Sequence, residues 1–315
     1  MFDYALRRLL MTFFVVLLIM TFLSLLIHLV PGDPVRLLLG AKAPAALVQQ
    51  VRHQMLLDRP LPAQISTFFV NALHGDLGVD FQSQRSVTSL IGQALPHTII
   101  LAAASLIIAA VIGIPLGVYA ATHAGGWIDR VTTVISVSFI TMPAYVVGLL
   151  LLLVFSVHFR VLPATGFGNT ADPVDYLRHL LLPALALALA WVGYLARLVR
   201  TSMLEVLNER YIYAARAQGI RDRTVVYKYA LRNAVIPTIA ILAVGLGQLM
   251  GGAIFVEVIF ARPGLGMLIY NSIETRNYPI VRGGVLVVAL LFVLINLSTD
   301  FVYRWIDPRI RVGSQ

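Results

Sequence analysis

Residues 97–121 read HTIILAAASLIIAAVIGIPLGVYAA, a run without a single Asp, Glu, Lys or Arg. An α-helix rises about 1.5 Å per residue, so about 20 apolar residues cross the roughly 30 Å hydrocarbon layer of a bilayer. The run is long enough to do so and strands no charge in lipid. Five further apolar stretches lie at Leu9–Val30, Val131–Val157, Leu177–Ala196, Val235–Phe260 and Gly283–Tyr303. Together they predict an all-α membrane protein with six transmembrane helices.

Composition agrees. Of 315 residues, 59% are hydrophobic and 12% charged, against about 45–50% and about 25% in a soluble domain. So few charges cannot cover a water-soluble globule, which excludes a soluble enzyme, a disordered chain and a fibrous repeat. A net charge of +9 would point to nucleic acid in a soluble protein. In a membrane protein basic residues collect in cytoplasmic loops, and no nucleic-acid partner is expected. The absence of cysteine removes disulfides, thiolate metal sites and cysteine nucleophiles.

Basic residues also set the orientation. With the N-terminus in the cytoplasm, the inner segments hold Arg7, Arg8, Arg130, eight basic residues between Arg197 and Ile236, and Arg304, Arg309 and Arg311. Both termini are therefore expected in the cytoplasm. The first apolar run follows Arg7-Arg8 but is too long for a signal sequence and lacks a small-residue cleavage site. It reads as a retained span. The outer loop 31–96 carries Leu47, Val48, Val51 and Met55 at helical spacing, then Ile65, Phe68, Phe69 and Leu73 after the turn at Asp58-Arg59-Pro60-Leu61-Pro62. It is expected to form a small helical cap on the outer surface.

Several chemistries are missing. Neither lysine, Lys42 or Lys228, sits in a phosphate-binding G-x-x-x-x-G-K-[ST] loop. The seven histidines form no H-x-x-x-H pair, so no metal site is expected. There is no G-x-S-x-G elbow. Glu257 and Asp300 lie near the ends of the fifth and sixth spans. Each is read as held by an interfacial neighbour or snorkelling to water, with a proton relay as the alternative. No energy source within the chain is evident.

The loop from Arg197 to Ile236 is the most informative segment. It reads Arg200-Thr201-Ser202-Met203-Leu204-Glu205-Val206-Leu207-Asn208-Glu209, then Tyr211-Ile212-Tyr213-Ala214-Ala215-Arg216-Ala217-Gln218-Gly219-Ile220, then Ala230-Leu231-Arg232-Asn233-Ala234-Val235-Ile236-Pro237. Tyr211–Gln218 is predicted as a short helix stopped by Gly219. Its alanines permit close approach of another protein, and Arg216 offers a fork of donors. Arg221–Tyr229 is predicted as a second polar-basic helix, and Pro237 as the start of the next span. The segment is either a docking element or a solvated basic loop that sets topology.

This loop resembles the coupling loop of ABC importer permeases, E-A-A-x-x-x-G followed by a hydrophobic-Pro step. It is most similar to the dipeptide/oligopeptide (peptide/nickel) permease family, in its first, B-type subunit. Pro31-Gly32-Asp33-Pro34, His74-Gly75-Asp76-Leu77-Gly78, Pro263-Gly264-Leu265-Gly266, Arg276-Asn277-Tyr278-Pro279 and Asp307-Pro308-Arg309-Ile310-Arg311 extend the resemblance over nearly the whole chain. There are departures. Tyr213 stands for the motif's Glu, Arg210 where an Asp often follows Glu209, Asn277 for a frequent Asp and Arg282 for a frequent Gln.

The resemblance implies a type I ABC importer permease architecture in a bacterial inner membrane. TM helix 1 would lie within 1–30, the cap in 31–96, the permease core in 97–304 with its coupling loop at 200–236, and a cytoplasmic tail at 305–315. The chain would not be an enzyme. A second homologous permease, two ATPase subunits holding ATP and Mg, and an extracytoplasmic substrate-binding protein would complete the machine. Ala214, Ala215, Arg216 and Gly219 would form the coupling helix in an ATPase cleft, with Glu205 and Glu209 flanking it and Pro237 opening the next span. Glu257, Arg282 and Asn296 are candidates for the pathway or outer mouth. The Ala261–Arg282 loop either dips toward the pathway or docked binding protein or is an ordinary surface loop. Gly245, Gly247, Gly251 and Gly252 read first as packing sites and second as room for substrate. Short peptides are the expected cargo. A nickel or metal chelate, glutathione or an opine-like compound are alternatives within the same machinery, and an ion-coupled secondary transporter or an intramembrane enzyme lies outside it.

Overall fold

The computed structural model describes residues 2–29, 35–36, 40, 42–55 and 57–306. The Pro31-Gly32-Asp33-Pro34 and Asp307-Pro308-Arg309-Ile310-Arg311 motifs and the side chain of Asp300 lie outside the described residues. The helices in chain order are α1 (Phe2–Leu29), α2 (Ala45–Gln54), α3 (Leu61–Leu73), α4 (Val87–Thr122), α5 (Trp127–Thr141) and α6 (Ala144–Leu151), which continues as the π-helical Leu152–His158. Then come α7 (Pro173–Leu207), α8 (Arg210–Ala217), α9 (Asp222–Thr224, the π-helical Val225–Ala230 and Leu231–Ala234), α10 (Ile236–Ile259), α11 (Leu265–Glu274) and α12 (Tyr278–Ile306). A lone antiparallel bridge, Val79 to Ser86, is the only extended pairing among the described residues.

Among the described residues each of the six apolar stretches is mainly helical. The helices α4, α7 and α12 are each long and apolar enough to cross a membrane. The helices α1 and α10 contribute shorter apolar segments, Phe13–Leu25 and Val244–Ile259. The third stretch departs from expectation. In place of one continuous helix over Val131–Val157, α5 and α6 meet at a bend of 106°. Pro143 is the cause: its ring disfavours helical backbone at the preceding residue, and Met142 is extended at φ −85°, ψ 126°.

Residues 1–97 with 263–293 form one compact unit. Its core gathers Val16 and Met20 of α1, Leu77, Val87 and Ile91, and Leu265, Ile269, Ile280 and Leu286. In the cap, Val48 and Val51 of α2 and Met55 just after it are buried against Val35, while Leu47 remains 41% exposed. On α3 the expected face is rotated. Leu73 is 86% exposed and Ala72 packs inward instead, because a heptad step from Ile65 lands on residue 72. The Ala261–Arg282 segment is no simple loop, since α11 buries Leu265, Gly266, Ile269 and Ser272.

Residues 98–262 with the chain from 294 form the other unit. Here glycines let helices touch backbone to backbone. A Cβ on Gly193 of α7 would lie 2.6 Å from the Ser136 carbonyl of α5, and one on Gly117 of α4 would lie 2.6 Å from the Ala196 carbonyl of α7. Gly193→Ala should therefore push α5 from α7 and cost about 1–3 kcal/mol. A lowered thermal midpoint of the purified protein is the expected readout, and an unchanged midpoint would refute the close contact.

Candidate functional site

The connection from α7 to α10 holds most of the residues singled out by sequence. It begins where α7 ends in a turn, with the Asn208 and Glu209 amides donating to the Glu205 and Val206 carbonyls at 3.2 and 3.0 Å. The Glu209 carbonyl then accepts from the Ile212 amide at 3.0 Å and starts α8. The Glu205 and Glu209 side chains are exposed.

One stripe of α8 is sunk into its own chain. Ile212 is 0% and Ala215 6% exposed. They pack among Val118 and Ala121 of α4, Val199 and Met203 of α7, and Val225, Val226, Ala230 and Ala234 of α9. The opposite stripe, Tyr213, Ala214, Arg216 and Ala217, is exposed. Ala215 therefore anchors the helix in this structure and is not open to a partner, unlike Ala214 and Arg216. The polar-basic helix expected over Arg221–Tyr229 is α9, but Val225, Val226 and Ala230 give it a buried side. Asn233 Nδ2 donates to the Tyr211 hydroxyl at 2.8 Å and ties its end to α8. The Arg216–Asp222 pair at 3.0 Å is exposed and adds little.

Gly219 closes the helix with φ +77°. The Gly219 amide donates to the Arg216 carbonyl at 3.0 Å, and the Ile220 amide to the Ala215 carbonyl at 3.3 Å. These two bonds make a Schellman cap, and Ile220 completes it by packing on the cluster around Ala215. Gly219→Ala should cost about 1–2 kcal/mol for the left-handed backbone. Gly219→Pro should do more harm, because proline can neither reach this φ nor donate the amide bond. Solute uptake should fall further for Pro than for Ala; equal, undiminished uptake would show that the cap is dispensable.

A charged clamp joins α5 to α7 beside this site. Asp129, 5% exposed, accepts from Arg200 Nε and, on its other oxygen, from Arg200 Nη2 at 2.7 Å and the Gly125 amide at 2.9 Å. Sequence reading missed the pair, treating Arg200 only as a marker of the inner side. Pro237 stands in the first turn of α10 as expected.

The other candidates are scattered. Glu257 is fully buried and accepts from Thr98 Oγ1 at 2.6 Å. It is held by a neighbour and does not snorkel. Its carbonyl takes the Arg262 amide at 2.8 Å. The buried Arg262 donates from Nη2 to the Tyr176 hydroxyl at 2.7 Å and sits 5.2 Å from that ring's centre. Asn296 is half-buried on α12. Arg282 is buried, with Gln64 Oε1 at 3.4 Å.

Asn277 has a clear role. Its Nδ2 donates to the Asp80 carboxylate, which also receives Ser83 Oγ and the Gln82 and Ser83 amides at 3.0 and 3.1 Å. An Asp at 277 would set two carboxylates against each other. Burial pushes the Asp80 carboxyl up, but these hydrogen bonds outweigh it and hold it below the usual 3.8. Its contribution is therefore complete above that value and is lost as pH falls through the lowered one. Asp80→Asn should lower the thermal midpoint near neutral pH and flatten its decline below about pH 4; parallel acid limbs for both proteins would contradict this.

Between α5, α7 and α10 lies a cavity of about 350 Å³ bordered by Ile140, Trp191, Tyr194, Ile241 and Gln248. A Cβ on Gly245 would lie 2.7 Å from the Trp191 ring, whereas one on Gly251 would meet nothing within 4 Å. Gly245 thus serves packing and Gly251 leaves space.

Comparison with known proteins fits this geometry. Residues 113–312 match the family of binding-protein-dependent transport system inner membrane components, and residues 1–102 match that family's N-terminal model. The chain is 40% identical to a glutathione transport system permease protein GsiC of Pectobacterium atrosepticum, over 99% of both chains. It is 39% identical to a probable D,D-dipeptide transport system permease protein DdpB of Escherichia coli K12, over 91% of both. Its fold is similar to a chain in inward-facing structures of the MetNI methionine ABC transporter, with a TM-score of 0.58 at 20% identity over 69% of this chain and 96% of that one.

Proposed function

Since the chain belongs to the binding-protein-dependent transport inner membrane component family, and so is a permease subunit of an ABC importer, we propose that it carries short peptides with free carboxylates inward by alternating access. Its noncatalytic role in a multi-pass inner-membrane complex with ATPase and binding-protein partners follows from the family. The second, homologous permease, the pair of ATPases with ATP and Mg, and cytoplasmic termini complete the proposal.

The observation that carries it is the seating of α8. One stripe is fixed to α4, α7 and α9 by Ile212 and Ala215, and the other is left open. A push on Tyr213, Ala214 and Arg216 from below would be passed to the spans and not absorbed by a loop. ATP-driven closure of the ATPases would then rock the spans from inward-open to outward-open, and the binding protein would release its cargo. Glu205 and Glu209 flank the contact, and Gly219 and Pro237 hold its ends. The apolar cavity beside Trp191 is the stretch of pathway this chain supplies. Outward Phe13, Phe14, Ile107 and Val111 would face lipid or the second permease.

Relatives named for glutathione and for D,D-dipeptides stand at nearly equal identity, 40% and 39%. Glutathione and peptides are therefore the cargo panel. The test is to co-express the chain with its neighbouring genes, purify it, and measure ATP hydrolysis with binding protein and each ligand. Stimulation by ligand-loaded binding protein is expected from glutathione or a short peptide. Uptake by this chain alone, without ATP, would overturn the coupling reading, and stimulation by a nickel chelate only would overturn the cargo.

A further inference from the structure

Among the described residues, no acidic side chain answers the charge of Arg282. It sits in the second turn of α12, 7% exposed. Its Nη2 reaches Gln64 Oε1 only at 3.4 Å, and its Nε has no hydrogen-bond partner among the described residues. Among the described residues, no carboxylate stands within ion-pairing distance of it. A buried guanidinium is normally paired, because desolvation without a counter-charge is strongly unfavourable.

The same side chain lines a cleft of about 80 Å³ with Phe68, Asn71, Asp76, Gly78 and Tyr278. That space is several waters in size. It suits a carboxylate and the carbon behind it, not a whole dipeptide. Gln64 is 1% exposed, and its Nε2 donates to the Arg59 carbonyl at 2.9 Å, which turns Oε1 to Arg282. Asp76, the one acid among the described residues of the wall, accepts the Gly78 amide at 2.9 Å. It is engaged with its own turn and forms no ion pair with Arg282. Asn71 and Tyr278 bring neutral hydrogen-bonding groups to the wall. Fixed positive charge, free N–H groups and a space of carboxylate size thus converge.

We infer that the Arg282 cleft is a carboxylate-binding site. Its ligand is a small organic acid or the free carboxylate of a peptide. Arg282 pairs with the carboxylate through its fork, and Phe68 covers the carbon behind. The organic-acid source stands apart from the peptide-import reading; the peptide source rests on it.

The probe is trifluoroacetate, followed by fluorine NMR line broadening on the whole importer in lipid nanodiscs. Wild type should broaden the signal, and Arg282→Gln should weaken binding about tenfold or more, the loss of one charge-assisted contact. Asn71→Trp, at an exposed position, should fill the cleft and abolish binding with Arg282 in place. It keeps the test open if Arg282→Gln fails to assemble. Displacement by a dipeptide acid but not by its amide assigns the ligand to cargo. Displacement by succinate but not by the dipeptide assigns it to a free organic acid. No broadening by wild type, or equal broadening by the variants, would overturn the site. Neither result bears on peptide-stimulated ATP hydrolysis, which tests the cargo separately.

Discussion

Ala215→Asp is expected to yield a membrane-inserted chain that no longer transports. Ala215 is 6% exposed in a cluster of Val, Met, Ile and Ala side chains. A carboxylate there finds no counter-charge, and desolvating an unpaired ion costs several kcal/mol. The helix cannot bear that cost, because α8 has only eight residues and a helix so short has little stability of its own. It should lift from α7 and α9, and ATP hydrolysis should lose its response to loaded binding protein. Ala214→Asp is the companion variant. Its carboxylate points outward, so it disturbs a partner's contact and leaves this chain's packing alone. Thermal midpoint separates the two: lowered for Ala215→Asp, unchanged for Ala214→Asp. Normal uptake by an assembled Ala215→Asp complex would defeat the coupling assignment.

The second large effect belongs to Asp129 and Arg200. Arg200→Leu should destabilise by about 1–3 kcal/mol, because it leaves a largely covered carboxylate with only the Gly125 amide as donor. Asp129→Leu should cost less. The Asp129 side chain is 7% exposed and that of Arg200 is 28% exposed, so an orphaned guanidinium can turn to water more readily than an orphaned carboxylate. The exchanged pair, Asp129→Arg with Arg200→Asp, should recover part of the loss. It should not recover all of it, since the Gly125 amide would then face a cation. Thermal midpoints of the four proteins give the coupling energy, and strict additivity would mean that no clamp exists.

Local signals in the sequence were strong where one residue type forces one backbone. Gly219 after a run of helix formers located the end of α8, and Pro237 located the start of α10. Apolar length likewise announced the helices. What was misjudged depended on geometry that apolar counting does not register. Helical spacing from Phe69 puts Leu73 on the buried face, whereas a heptad step from Ile65 gives that place to Ala72. Met142-Pro143 was absorbed into one apolar run although proline bars a helical residue before it.

The missed polar contacts have a different cause. Asp129 and Arg200 are 71 positions apart, Thr98 and Glu257 159, and Asp80 and Asn277 197. Each partner alone resembles an ordinary polar residue. Only the packing of α5 on α7, of α4 on α10, or of the cap turn on the start of α12 makes them pairs. Ala215 shows the same limit from the other side. A small residue in a docking motif reads as contact surface, yet the helix uses that stripe to hold on to its own chain.

The closing of Trp191 over Gly245 has a practical use. Of three tryptophans, Trp191 borders the cavity between α5, α7 and α10, while Trp127 is 78% exposed. With Trp127 and Trp305 replaced by phenylalanine, the remaining indole emission reports from the cavity wall alone. A solute arriving there would change the colour and intensity of that light, so the chain carries an intrinsic optical gauge of its own occupancy, readable in real time without an attached dye.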